Sequence, residues 1–172
     1  MATCLRLACI GLATCACLWL VRPEARADDK NKPPGYLPQK LTFQIGSLAR
    51  REWVEWDGKA LRYKVTGLDV DQKQSKTKAV TPSEAQWKKF WASVDGAKAW
   101  KWSTRYENEA VQGGTSWGLQ MEHGEKKLKS SGRNAYPNDE DVTKGTQEPT
   151  PSKAFRQFQK GMEALLGFEL GS

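Results

Sequence analysis

Between residues 98 and 123 the side chains alternate, and this constrains the fold more than any other stretch. Trp100, Trp102, Thr104 and Tyr106 fall on one face, with Lys101, Ser103 and Arg105 on the other. After a polar turn containing Gly113 and Gly114, Thr115, Trp117, Leu119 and Met121 again share a face. A period of two in hydrophobicity is the pattern of half-buried antiparallel strands. It predicts a long β-hairpin at the middle of a sheet.

The chain before the hairpin repeats this pattern in shorter runs. Leu41, Phe43 and Ile45 define one strand, residues 51–56 a second, and Leu61, Tyr63 and Val65 a third. Asp57-Gly58 lies between the second and third, which predicts a tight hairpin because its central residues need positive φ. Residues 67–78 are polar and lysine-rich. Their Asp69-x-Asp71 pair lacks the glycine and later glutamate of a calcium loop, so a solvated loop is expected. The period then changes. Thr81, Pro82 and Glu84 have the form of a capping box, followed by Trp87, Phe90, Trp91 and Val94 at helical spacing up to Asp95-Gly96.

Beyond the hairpin, residues 126–130 predict a short last strand with Leu128 inward. Residues 138–149 read as an acidic loop. Thr150, Pro151 and Ser152 open a second helix carrying Phe155, Phe158, Met162, Leu165 and Leu166, which Gly167 terminates. The order argues for an α+β domain of two layers: an antiparallel sheet of about five or six strands with both amphipathic helices on one face.

The amino terminus predicts export. Arg6 precedes an apolar run from Leu7 to Val21, too short for a comfortable span, and Ala25-Arg26-Ala27 is a small-x-small cleavage site. Cleavage there divides the chain into a signal (1–27), a flexible Pro-rich arm (28–40) and one domain (41–172), with no transmembrane span remaining. Lipid anchoring at Cys15, after Leu12-Ala13-Thr14, is the alternative, and Thr14 fits it poorly. Either way the expected location is periplasmic or secreted. All four cysteines precede residue 18, so the 145 residues after cleavage carry none. Disulfides, thiol catalysis and cysteine-bound metals are thereby excluded from the mature domain. The seven tryptophans left after cleavage are read as core. The signal holds three arginines against one glutamate, so the mature domain keeps +5 of the chain's +7. That charge suits solubility and anionic partners.

Catalytic constellations are sparse. His123, the one histidine, sits in a turn where a solvated ring is expected, and no G-x-S-x-G elbow accompanies it. A zinc site lacks ligands, and Gly113-Gly114 has neither the spacing nor the lysine of a phosphate loop. Glu52, Glu55, Glu107 and Glu109 remain candidates for a glycosidase acid and base. No cofactor, metal or catalytic residue is assigned. The candidate binding residues are Arg105, Ser131, Arg133, Asn134 and Tyr136. Arg133 offers a planar donor fork and Tyr136 a flat face with a hydroxyl. Gly132, Asn134 and Pro137 are equally good turn chemistry, so the loop has a second, structural reading: Tyr136 buried under the last helix and Asn134 bonded to backbone.

Taken together, Trp100, Trp102, Tyr106, Gly114, Thr115, Trp117 and the Gly132-x-Asn134-Ala135-Tyr136-Pro137 loop resemble small exported bacterial domains of uncharacterised function. That resemblance implies the fold and no activity. Ser131-Gly132 ahead of Tyr136 is also similar to the Ser-Gly-x-x-Tyr loop of periplasmic lysozyme inhibitors, although Tyr136 falls one residue late and the usual disulfides are absent. The expectation is a non-enzymatic exported binding domain whose partner is an envelope protein or an anionic polymer, with no specific nucleic acid. The alternatives are a carboxylate-based hydrolase of envelope glycans and an enzyme-inhibitor-like protein.

Overall fold

The computed structural model describes residues 34–68, 77–137 and 150–170. The expected signal, the Asp69-x-Asp71 pair and the acidic loop at 138–149 lie outside the described residues, as does the arm before residue 34.

The class is α+β, as the pattern predicts. Strands β1 (Lys40–Gly46), β2 (Arg51–Trp56), β3 (Leu61–Thr66) and β4 (Lys78–Val80) precede helix α1 (Glu84–Gly96). A 3-10 turn at Ala99–Lys101 leads to β5 (Arg105–Glu107), β6 (Ser116–His123), β7 (Lys126–Arg133) and helix α2 (Lys153–Leu166). They form one seven-stranded sheet in the order β4-β3-β2-β1-β6-β7-β5.

Two details of the sheet differ from the sequence reading. It has seven strands, and it is mixed, because β5 runs parallel to β7. The expected central hairpin is therefore not one. The tryptophan run folds mostly off the sheet: Lys98 takes a left-handed φ of 51°, and Trp100 and Trp102 enter and leave a helical turn. Trp100 donates Nε1–H to Asp95 Oδ1 at 2.9 Å, and Trp102 packs on Phe155 with centroids 6.0 Å apart. Burial under two helices outweighs the local strand pattern. β6 pairs instead with β1 and with β7, to which a turn at Gly124 connects it.

Smaller shifts have local causes. α1 starts two residues later than expected. Ser83 is its cap, accepting from Gln86 N, while the Gln86 side chain bonds back to Ser83 N. The β2–β3 connection is a four-residue loop in which only Gly58 has positive φ, at 92°. Asp57 closes it, its Oδ1 accepting from Lys59 N and Ala60 N at 2.8 Å each. α2 matches expectation, capped by Ser152 and ended by Gly167 at φ 78°.

The core lies on one face of the sheet. Leu41, Phe43, Val54, Leu61, Trp117, Leu119, Met121 and Leu128 point into it. Trp87, Phe90, Trp91 and Val94 of α1 and Phe155, Phe158, Met162, Leu165 and Leu166 of α2 cover them. Phe43 sits 5.3 Å from Phe158, edge to face. Gly161 brings the helices together; a Cβ there would lie 2.7 Å from Ser93 Cβ. Residues 34–39 are tied to the same domain. Trp91 Nε1–H donates to Tyr36 O at 2.8 Å, and the His123 ring stacks on Trp91 at 4.0 Å with Nε2 2.9 Å from Gly35 O.

Candidate functional site

The structure divides the five residues singled out by sequence between the two faces of β7. Asn134 and Tyr136 belong to the fold. Asn134 takes φ 52° and is fully buried. Its Nδ2 donates to Val111 O at 3.0 Å and Gly113 O at 2.9 Å, and its backbone N–H donates to Thr115 O. That side chain closes the loop between β5 and β6. Tyr136 is 4% exposed, its ring 4.8 Å from Phe155. Gly132 is obligatory here, since a Cβ would meet Trp117 Nε1 at 2.2 Å and Ala135 O at 2.5 Å. The space lets the Trp117 indole donate to Ala135 O at 2.9 Å.

Ser131, Arg133 and Arg105 face the other way. Strand periodicity places them on the second face of the sheet, out of phase with buried Ser130, Gly132 and half-buried Tyr106. Among the described residues no helix or strand covers this face.

The register gives the open face its layout. One row crosses it as Lys64, Trp53, Gln44, Gly118, Ser131 and Arg105. The row on one side carries Thr66, Arg51, Gly46, Ser116 and Arg133; the row on the other carries Arg62, Glu55, Thr42, Gln120 and Lys129. Strand spacing puts Trp53 and Ser131 about 14 Å apart, and the outer rows are about 13 Å from each other along the strands. Between Trp53 and Lys129 runs a trough of about 480 Å³, with Gln44, Gly118 and Gln120 along its floor and Thr104 on its rim. Gly118 makes room for the Gln44 side chain, which lies across it: a Cβ there would meet Gln44 Nε2 at 2.8 Å.

Trp53 was missed as a site residue because tryptophans were assigned to the core as a class. Among the described residues it is the one tryptophan outside the core and the side chains packed against it. Its phase was the available signal, because it is opposite to Glu52, Val54 and Trp56 on the same strand. Lys64 Nζ lies 5.1 Å from the Trp53 ring.

The charge of the face is basic. Arg62 is held by Asp57 at 2.6 Å, Arg105 pairs with Glu107, and Lys127 pairs with Glu122 at 3.3 Å. Lys64, Lys129 and Arg133 have no ion-pair partner among the described residues. Asp57 has its carboxyl lowered from 3.8 to about 2, chiefly by the Ala60 N–H, then by Arg62 and the Lys59 N–H.

The four candidate carboxylates are scattered. Glu52 is 3% exposed on the core face and bonded by Arg50 at 3.2 Å. Burial, with the Glu52 charge adding to it, raises the pKa of neighbouring Tyr63 above its ordinary 10. Glu55 stands on the open face, Glu107 at the β5 edge, and Glu109 in an exposed turn. Among the described residues no group of three or more His, Asp or Glu is placed to hold a metal ion, and no helix is long and apolar enough to cross a membrane. No protein-family model matches the chain, and neither does any curated protein sequence.

Proposed function

We propose that the protein is an exported, non-enzymatic binding domain of the cell envelope that holds an anionic polymer across the open face of its sheet. The observation that carries this reading is Trp53. The indole is only partly buried, lies outside the core cluster on a face that no described helix or strand covers, and stands beside Lys64, which has no ion-pair partner among the described residues. It is well suited to contact a ligand. Lys64, Lys129 and Arg133 supply the attraction for negative charge, and Ser131 and Arg105 extend the same face. Arg105, Ser131 and Arg133 thus remain binding residues, while Asn134 and Tyr136 hold the corner that positions them. Export follows from the leader-like sequence before residue 28.

The test is binding of the mature protein to polyanions such as polygalacturonate and polyphosphate at rising salt. Affinity is expected to fall steeply between about 50 and 200 mM. The reversal Lys129→Glu is expected to weaken it, and absence of binding to any polyanion at low salt would refute the reading. Amino-terminal sequencing of exported material is expected to begin at Asp28.

A further inference from the structure

We infer that the polymer on this face is an acidic polysaccharide, with one sugar ring lying on the Trp53 indole. The inference rests on the reading of the open face as a polyanion site and names the chemistry of its occupant.

Three observations select this class. The first is the number of aromatic platforms. Trp53 is the only aromatic side chain on the open face among the described residues; the other half-buried rings pack against the core. Single-stranded nucleic acid is held by successive bases stacked on successive aromatics, which one indole does not provide. One indole suffices for the apolar C–H face of a pyranose.

The second is the trough beside it. Its lining is uncharged apart from Lys129 and carries two amides, Gln44 on β1 opposite Gly118 and Gln120 one row along on β6. An amide both donates and accepts, which matches the paired capacity of sugar hydroxyls. Polyphosphate offers only acceptors and no surface for the indole, so it leaves the amide oxygens and Trp53 unused.

The third is where the charge sits. Lys64 lies over the indole on one margin of the trough and Lys129 lines the opposite margin. A ring platform, a neutral polar floor and cationic margins complement a chain whose units present an apolar ring face, hydroxyls and a peripheral carboxylate or sulfate. The width of about 14 Å, set by three strand spacings, accommodates a chain lying extended over the sheet.

The experiment compares polygalacturonate, neutral dextran, polyphosphate and oligo-deoxythymidine as ligands of the mature protein and of Trp53→Ala, Gly118→Ala and Lys129→Glu, with circular dichroism to verify folding. Polygalacturonate is expected to bind, dextran to bind at least tenfold more weakly, and Trp53→Ala to lose about tenfold for polygalacturonate with little change for polyphosphate. Gly118→Ala, whose added carbon displaces the Gln44 amide without altering charge, is expected to weaken polygalacturonate several-fold and so serves should Trp53→Ala fail to fold. Polyphosphate bound as tightly as polygalacturonate, with neither neutral variant discriminating, would overturn the glycan while leaving the polyanion reading in place. Dextran bound equally well would overturn the acidic requirement. Oligo-deoxythymidine bound in a Trp53-dependent way, with polygalacturonate excluded, would replace the glycan with nucleic acid. Failure of every polyanion would sink both readings.

Discussion

Trp117 and Trp53 stand on adjacent rows of the same sheet, two strands apart, and point in opposite directions. Trp117 is 2% exposed, spends its N–H on Ala135 O and rests against Phe155 at 4.9 Å. Trp53 carries a lysine on its ring and belongs to no buried cluster. Their glycines divide the same way. Gly132 makes room for the Trp117 indole inside the fold, and Gly118 makes room on the outside for the Gln44 side chain. One face buries its indole completely, and the other leaves part of one uncovered.

This contrast breaks if the two tryptophans respond alike. Trp117→Ala is expected to cost about 3–5 kcal/mol, read by urea denaturation, through a cavity and lost packing. Gly132→Ala is expected to cost about 1–3 kcal/mol, because the added carbon displaces either the indole or the Ala135 carbonyl. Asn134→Ala, measured the same way, is expected to fall in a similar range: it removes two hydrogen bonds inside the fold and leaves the Val111 and Gly113 carbonyls short of a donor. Trp53→Ala is expected to cost no more than about 1 kcal/mol while weakening polygalacturonate binding about tenfold. A large loss of stability in Trp53→Ala would return that side chain to the structural class.

The smallest effect belongs to Asp57, at the end of the β2–β3 hairpin that carries Trp53 and Lys64. Folding favours its charged form, so its contribution is complete above the ordinary value of 3.8 and is lost as pH falls through about 2. An NMR titration is expected to find this depressed value, and Arg62→Ala to raise it while the backbone bonds from Ala60 and Lys59 keep it below 3.8. A value unchanged by Arg62→Ala would remove the arginine from the account.

The two helices and strands β1 to β3 were legible because their apolar residues repeat at one period without interruption, as in Trp87, Phe90, Trp91 and Val94. Trp100 and Trp102 misled because they alternate as a strand does and yet flank a helical turn, Trp102 buried and Trp100 partly so. That turn depends on Lys98 in a left-handed conformation and on Phe155, more than fifty residues away, and neither is visible locally. β4 escaped because three residues are too few to show a period. The candidate site was legible in part. Arg105, Ser131 and Arg133 reach the open face, whereas Asn134 and Tyr136 attracted attention for chemistry that the fold itself consumes. Trp53, Gln44, Gly118 and Lys129 come together only through register across four strands, which no single stretch of sequence encodes.

Both margins of the sheet end in strands of three residues, β4 and β5. Each carries a charged residue, Lys78 on one and the Arg105–Glu107 pair on the other. Long unpaired margins recruit strands from other molecules and seed aggregates. Margins this short, with ionised groups along them, give an incoming chain little ladder to extend. They keep self-association from competing with folding, and they leave the broad face between them free.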